Sequence, residues 1–115
     1  MKKLVLIFIS GIFLFILFPA SLSAQIGQDR QLADQYMASL EYDKAAELYD
    51  KLFDKDPFGT YPSYLRCLIG MKDYNEAEKL VKKISRKQPE NLTYISDLGF
   101  IYSLQGEDAK AAQQY

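Results

Sequence analysis

The chain has 115 residues, 14 lysines and arginines against 15 aspartates and glutamates, a net charge of −1 and no histidine. That balance excludes broad electrostatic binding to nucleic acid, and the missing histidine removes a common general base and metal ligand. A single cysteine, Cys67, cannot form an internal disulfide, so the fold has to rest on a hydrophobic core.

The amino end reads as a targeting segment. Met1 to Lys3 form a positive start, Leu4 to Phe18 are almost wholly apolar, and Pro19 breaks any helix before the stretch Ala20-Ser21-Leu22-Ser23-Ala24. This is the order of a secretory signal peptide, assigned to residues 1–24, with cleavage after Ser23 or after Ala24. The alternative is an uncleaved membrane anchor at residues 4–18, but a run of about 15 apolar residues falls short of the roughly 20 that span a bilayer. No cysteine follows the run, so a bacterial lipoprotein attachment signal is missing. Loss of Lys2 and Lys3 with the leader leaves 12 basic against 15 acidic residues, a mature charge of −3. The expected location is periplasmic or secreted.

Residues 25–115 carry helical periodicity. Leu32, Ala33, Tyr36, Met37 and Leu40 make a first stripe, and Ala45, Leu48, Tyr49, Leu52 and Phe53 a second that ends at Asp56-Pro57. Tyr61, Tyr64, Leu65 and Leu68 make a third, with Pro62 in its first turn and Gly70 closing it. The fourth holds Ala77, Leu80, Val81 and Ile84, capped by Asp73 with Glu76 three residues on, as in a capping box, and followed by Pro89. The fifth holds Ile95, Leu98, Gly99 and Tyr102, is capped by Asn91, and is expected to stop at Gly106.

These stripes repeat. Tyr36, Leu68 and Tyr102 recur at a nearly constant interval of about 32–34 residues, as do Ala45, Ala77 and Ala111, and Pro57 and Pro89 share it. A helix-turn-helix unit at that period predicts an all-α solenoid of antiparallel helix pairs, because one pair cannot bury both its faces but stacked neighbours can. About two and a half units are expected, over residues 29–58, 61–90 and 92–115, with the chain continuing beyond Tyr115.

Leu98-Gly99, Tyr102, Gly106, Ala111 and Tyr115 resemble the tetratricopeptide repeat, and Ala45, Tyr49 and Pro57 match its second helix in the first unit. The sequence departs from that pattern where Asp29, Tyr61 and Ile95 stand in place of a tryptophan, Leu65 replaces a small residue, and Leu52 and Ile84 replace an alanine. The resemblance implies that Ala33 and Gly99, with Ala45, Ala77 and Ala111, let helices approach closely, and that Tyr36 and Tyr102 fill the space between them. It also implies a concave groove lined by the first helices of successive units. The groove positions here are Asp34, Met37, Arg66, Ile69, Phe100 and Ser103. Met37, Ile69 and Phe100 would form an adaptable apolar floor, with Asp34 and Arg66 fixing the orientation of an extended peptide or docked helix. A subclass of these repeats grips a terminal carboxylate with lysine, arginine and asparagine, whereas the matching face here supplies mostly serine, aspartate and apolar residues, so no carboxylate clamp is expected.

Other features have simpler readings. Lys79, Lys82, Lys83, Arg86 and Lys87 form a basic strip, expected to be a solvated face whose last members oppose the negative end of a helix. Cys67 is expected to be a small buried hydrophobe, and the Asn91-Leu92-Thr93 sequon is explained by capping. With no catalytic constellation, phosphate loop or metal-ligand set, neither enzymatic activity nor a cofactor is expected. The sequence therefore predicts an exported scaffold that binds a protein or peptide. The alternatives are a spacer or amino-terminal module of a longer enzyme or sensor, and a repeat protein held at a membrane by an uncleaved leader.

Overall fold

The structure is a computed structural model that describes residues 23–114, with side chains described for residues 23–110. The expected signal peptide, apart from residues 23 and 24, and the alternative anchor at residues 4–18 lie outside the described residues, as do the surroundings of the Ala111 side chain. The protein is all-α. Helix α1 runs over residues 23–38, followed by α2 (Tyr42–Lys55), α3 (Pro57–Gly70), α4 (Tyr74–Ser85) and α5 (Thr93–Gln114), and no strand occurs among the described residues. No helix among them is long and apolar enough to cross a membrane.

Contacts between helix ends give the arrangement. Cys67, near the end of α3, donates its thiol to the Tyr42 carbonyl at the start of α2 (3.2 Å), so these two helices are antiparallel. Tyr74, at the start of α4, bonds Asp108 far along α5, so that pair is antiparallel too. By contrast, Tyr61 and Tyr94, both near the starts of α3 and α5, meet edge to face at 5.3 Å. Lys83 of α4 sits 5.2 Å from the ring of Phe53 near the end of α2. Helices α3 and α5 therefore run parallel in one layer and α2 and α4 parallel in the other.

Two core clusters fill the space between layers. Ala33, Ala45, Tyr49, Leu52 and Cys67 form one, with Tyr36, Met37 and Leu48 packed on it. Phe53, Tyr61, Leu65, Leu68, Ala77, Leu80, Val81, Ile84, Tyr94 and Ile101 form the other. Burying each large apolar side chain stabilises by about 1.5–3 kcal/mol, and the alanines let the helices approach closely enough for that burial. Tyrosine hydroxyls stitch the helices at their rims: Tyr49 to Asp34, Tyr64 to Asp50, Tyr61 to Asp97, Tyr74 to Asp108 and Tyr102 to Glu78.

The connections between α1 and α2 and between α3 and α4 are the same turn, one repeat apart. Leu40 and Lys72 take left-handed backbone, with φ of 61° and 59°. In the first turn the Leu40 N–H donates to the Met37 carbonyl and the Glu41 N–H to Tyr36; in the second, Lys72 donates to Ile69 and Asp73 to Leu68, all at 2.8–3.0 Å. This is the Schellman closure of a helix, with the left-handed position occupied by residues other than glycine. The capping residues Glu41 and Asp73 share their backbone angles within a few degrees (φ −89°, ψ 66° and φ −87°, ψ 71°).

The structure corrects several expectations. Leu40 is not on the apolar stripe of α1 but in the turn, 70% exposed. Helix α3 opens at Pro57 rather than around Pro62: the Asp56 N–H donates to the Leu52 carbonyl while its carboxylate accepts from the Gly59 N–H. One residue thus ends α2 and caps α3, leaving Pro62 at an exposed interior position. Gly70 is not the left-handed closing residue. A Cβ there would meet the Tyr42 ring at 2.8 Å, so its role is close helix approach. Only half of a capping box forms at Asp73, whose carboxylate accepts from the Glu76 N–H (3.3 Å) while the Glu76 side chain pairs with Lys79.

The largest correction concerns α5. It does not stop at Gly106 but continues to Gln114, with no glycine among the described residues at positive φ. Of the expected Ile95, Leu98, Gly99 and Tyr102 only Leu98 packs on the core; with the buried Tyr94 and Ile101 it makes the inward stripe, one residue around from Ile95, Gly99 and Tyr102. Ile95 is 64% and Tyr102 47% exposed, so Tyr102 fills no interhelical space. Nothing lies within 4 Å of a Cβ built on Gly99 or Gly106, so neither glycine is at a close helix contact.

Candidate functional site

Three of the six groove residues come together. Asp34 and Met37 of α1 and Arg66 of α3, with Ala38, Ser63 and the Tyr49 hydroxyl from below, line a surface depression of about 340 Å³. Its geometry follows from the layer arrangement: α1 and α3 stand side by side, and α2 forms the floor. Arg30 on α1 ties the two walls, donating to the Gly59 carbonyl (2.9 Å), the Asp56 carboxylate (2.9 Å) and the Thr60 hydroxyl (3.3 Å) near the start of α3.

The polar groups are held but not consumed. The Tyr49 hydroxyl donates to Asp34 Oδ1 at 2.6 Å, which orients that carboxylate and leaves its second oxygen for another partner. Burial, followed by the neighbouring Asp34 carboxylate, pushes the Tyr49 pKa upward, so the hydroxyl stays a donor through ordinary pH. The Arg66 guanidinium donates to the Ser63 hydroxyl at 3.3 Å and forms no ion pair among the described residues. Met37 is half-buried against the first core cluster and supplies an apolar wall. The depression thus offers one oriented anion, one cation and a thioether surface to whatever enters it.

The other three residues are not at this depression. Ile69 packs against the second core cluster, which makes it partly structural. Phe100, 57% exposed, and Ser103, also exposed, lie on α5. The residues that sequence reasoning missed are Ser63 and Ala38 on the rims and Tyr49 on the floor. Their signal was available: Ser63 lies three residues before Arg66 and Ala38 four after Asp34, so each shares a helix face with a residue already chosen.

Elsewhere the chemistry is structural. Lys79 and Lys82 of the basic strip pair with Glu76 (3.1 Å) and Glu78 (2.7 Å) on their own helix, and Lys83 sits over the Phe53 ring of α2, so three of its five cations have partners within the fold. Asn91 accepts from the Thr93 N–H at 3.0 Å, as a cap for α5. Cys67 is fully buried, and burial raises its thiol pKa to about 11, which makes it a poor nucleophile. Among the described residues no three His, Cys, Asp or Glu side chains gather where they could hold a metal ion. No family model matches the sequence, and no curated protein matches it.

Proposed function

We propose that the protein is an exported scaffold of tetratricopeptide-repeat type, a short α-solenoid that takes a protein or peptide segment into the depression between its first helices. The observation that carries this reading is the structural repeat of the helix pair. The left-handed turns at Leu40 and Lys72 repeat one helix pair, and Asp34 and Met37 of its first copy and Arg66 of its second line one depression. Its polar groups suit orientation of an extended segment: Arg66 toward an acidic side chain, Asp34 toward an amide or cation, and Met37 against apolar atoms. Export rests on the positive, apolar and small-residue order of residues 1–24.

The test is site-specific photo-crosslinking in the native cells, with the reactive residue at Ala38 on the depression and a control at Glu47, exposed on α2. A partner captured from Ala38 alone, and lost when Arg66→Glu is added, is the expected result. Equal capture from both sites, or capture indifferent to Arg66→Glu, refutes this binding face. Intact mass of the mature protein tests export, since cleavage removes residues 1–23 or 1–24.

A further inference from the structure

While Tyr94, Leu98 and Ile101 turn one side of α5 into the second core cluster, another side forms an exposed seam. Leu92, Ile95, Gly99, Tyr102, Gly106 and Ala109 follow one another at alternating steps of three and four residues, and all six are exposed. That is the spacing by which one straight helix packs along another. Leu92 precedes the helix by one residue but belongs to its first turn, since its carbonyl accepts from the Ser96 N–H (3.3 Å). Nothing lies within 4 Å of a Cβ built on Gly99 or Gly106, so the seam holds open gaps between its large side chains.

The order of sizes makes this seam complementary to its own reverse. Read forward it runs large, large, small, large, small, small, and read backward each small position meets a large one. An antiparallel copy in that register sets Leu92 against Ala109, Ile95 against Gly106 and Tyr102 against Gly99, a large side chain into a gap in every layer. A parallel copy would set large against large and glycine against glycine. The Tyr102 ring is already held, its hydroxyl donating to Glu78 at 2.9 Å. Charge agrees with the antiparallel register, which brings Lys110 level with Asn91 of the second copy, beside Glu90, and does so twice by symmetry. Lys110 and Glu90 are exposed, and neither forms an ion pair among the described residues. The same arrangement sets the positive start of each helix beside the negative end of the other.

We propose that the exposed seam of α5 is a homodimer interface, in which two copies of this chain pair antiparallel about a two-fold axis lying between the levels of Phe100 and Ile101. The same residues serve both copies, so the contact closes on itself and does not propagate. Six seam residues a copy is fewer than the roughly 20–30 of a standard interface, so the dimer is weak, with a micromolar Kd, and the chain is monomeric when dilute. The pairing is independent of what the depression near Arg66 binds.

The experiment is sedimentation of the full chain, produced in its native cells, over about a hundred-fold range of concentration spanning the micromolar. The expected result is a monomer–dimer equilibrium. Gly99→Leu, which fills the gap that Tyr102 of the second copy needs, weakens it at least ~10-fold without lowering the denaturant midpoint of the dilute monomer. Lys110→Glu weakens it ~3–10-fold, and adding Glu90→Lys restores it. Cysteines in a Cys67→Ser background read the register. An Ile95→Cys chain mixed with a Gly106→Cys chain forms the mixed disulfide, while neither crosslinks with itself, because like positions lie about 16 Å apart along the axis. A monomer at every concentration overturns the proposal, whether the seam is bare or covered by another part of the chain or by a different protein. So does a dimer that Gly99→Leu leaves intact, one that the charge exchange does not restore, or one in which Ile95→Cys crosslinks with itself.

Discussion

The turns after α1 and α3 and the segment around Gly106 occupy the same register of one repeat, yet their backbones differ. Leu40 and Lys72, two side chains poorly suited to left-handed backbone, adopt it, while Gly106, the residue best suited to it, stays helical. Left-handed backbone costs a non-glycine residue about 1–2 kcal/mol. The second helix of each early pair repays this several times over: α2 buries Tyr49, Leu52 and Phe53, and α4 buries Leu80, Val81 and Ile84, each large side chain contributing about 1.5–3 kcal/mol. The difference teaches that in this chain a turn forms where the following helix has a face to bury, and local preference alone does not make it.

The strongest way to break the comparison is to empty each face in turn. Ile84→Ala, in the closed core, should lower unfolding free energy by about 2–5 kcal/mol, whereas Ile95→Ala on the open face of α5 should stay within about 0.5 kcal/mol. Denaturant midpoints measure both, and similar losses would show that the α5 face is covered in solution. A second contrast uses glycines. Gly70→Ala drives a methyl into the Tyr42 ring and should cost about 1–3 kcal/mol. Gly99→Ala, with open space around it, should stabilise by about 0.5–1 kcal/mol through helix propensity. Destabilisation by Gly99→Ala would reveal a close neighbour at that site.

Alkali tests the tyrosine stitching between helices. Burial first, then the carboxylates of Asp34, Asp97 and Asp50, raise the pKa of Tyr49, Tyr61 and Tyr64 above the ordinary tyrosine value. Because the unfolded hydroxyls ionise near pH 10, this stabilisation is fully present below about pH 10 and is lost as pH rises through the folded values. Tyr61→Phe, which breaks the bond between α3 and Asp97 of α5, should cost about 1 kcal/mol at neutral pH and flatten the alkaline decline. An unchanged alkaline profile would place the sensitivity elsewhere. The smallest effect is expected from Lys72→Gly. Relief of the left-handed strain is mostly offset by the added freedom of the unfolded chain, leaving a gain of less than about 1 kcal/mol.

Much of the fold was legible in the sequence because burial imposes a period. The stripe of α4 was read residue for residue, with Ala77, Leu80, Val81 and Ile84 all buried, and that of α2 nearly so: Ala45, Tyr49, Leu52 and Phe53 are buried and Leu48 packs half-buried at the edge. Each of those helices has one apolar face, so period and burial coincide. On α5 the sequence offers two faces, and nothing local says that Tyr94, Leu98 and Ile101 rather than Ile95, Gly99 and Tyr102 meet the neighbouring helices. The candidate site was half legible for a similar reason. Asp34, Met37 and Arg66 came from the resemblance to a repeat family, but their gathering around the Tyr49 hydroxyl depends on the spacing of α1 and α3, which the Arg30 contacts help to set.

The sequence by itself determined the helical class, the position of α2 and α4, the repeat of the helix pair and the capping of α4 by Asp73, since these follow from spacing and from side chains within a few residues of one another. Only the tertiary structure decided that Asp56 serves two helices at once, that Gly70 makes room for Tyr42, which tyrosine reaches which carboxylate, and that α5 runs straight through Gly106. Each of those outcomes depends on what another helix brings to the same place, and local spacing carries no record of it.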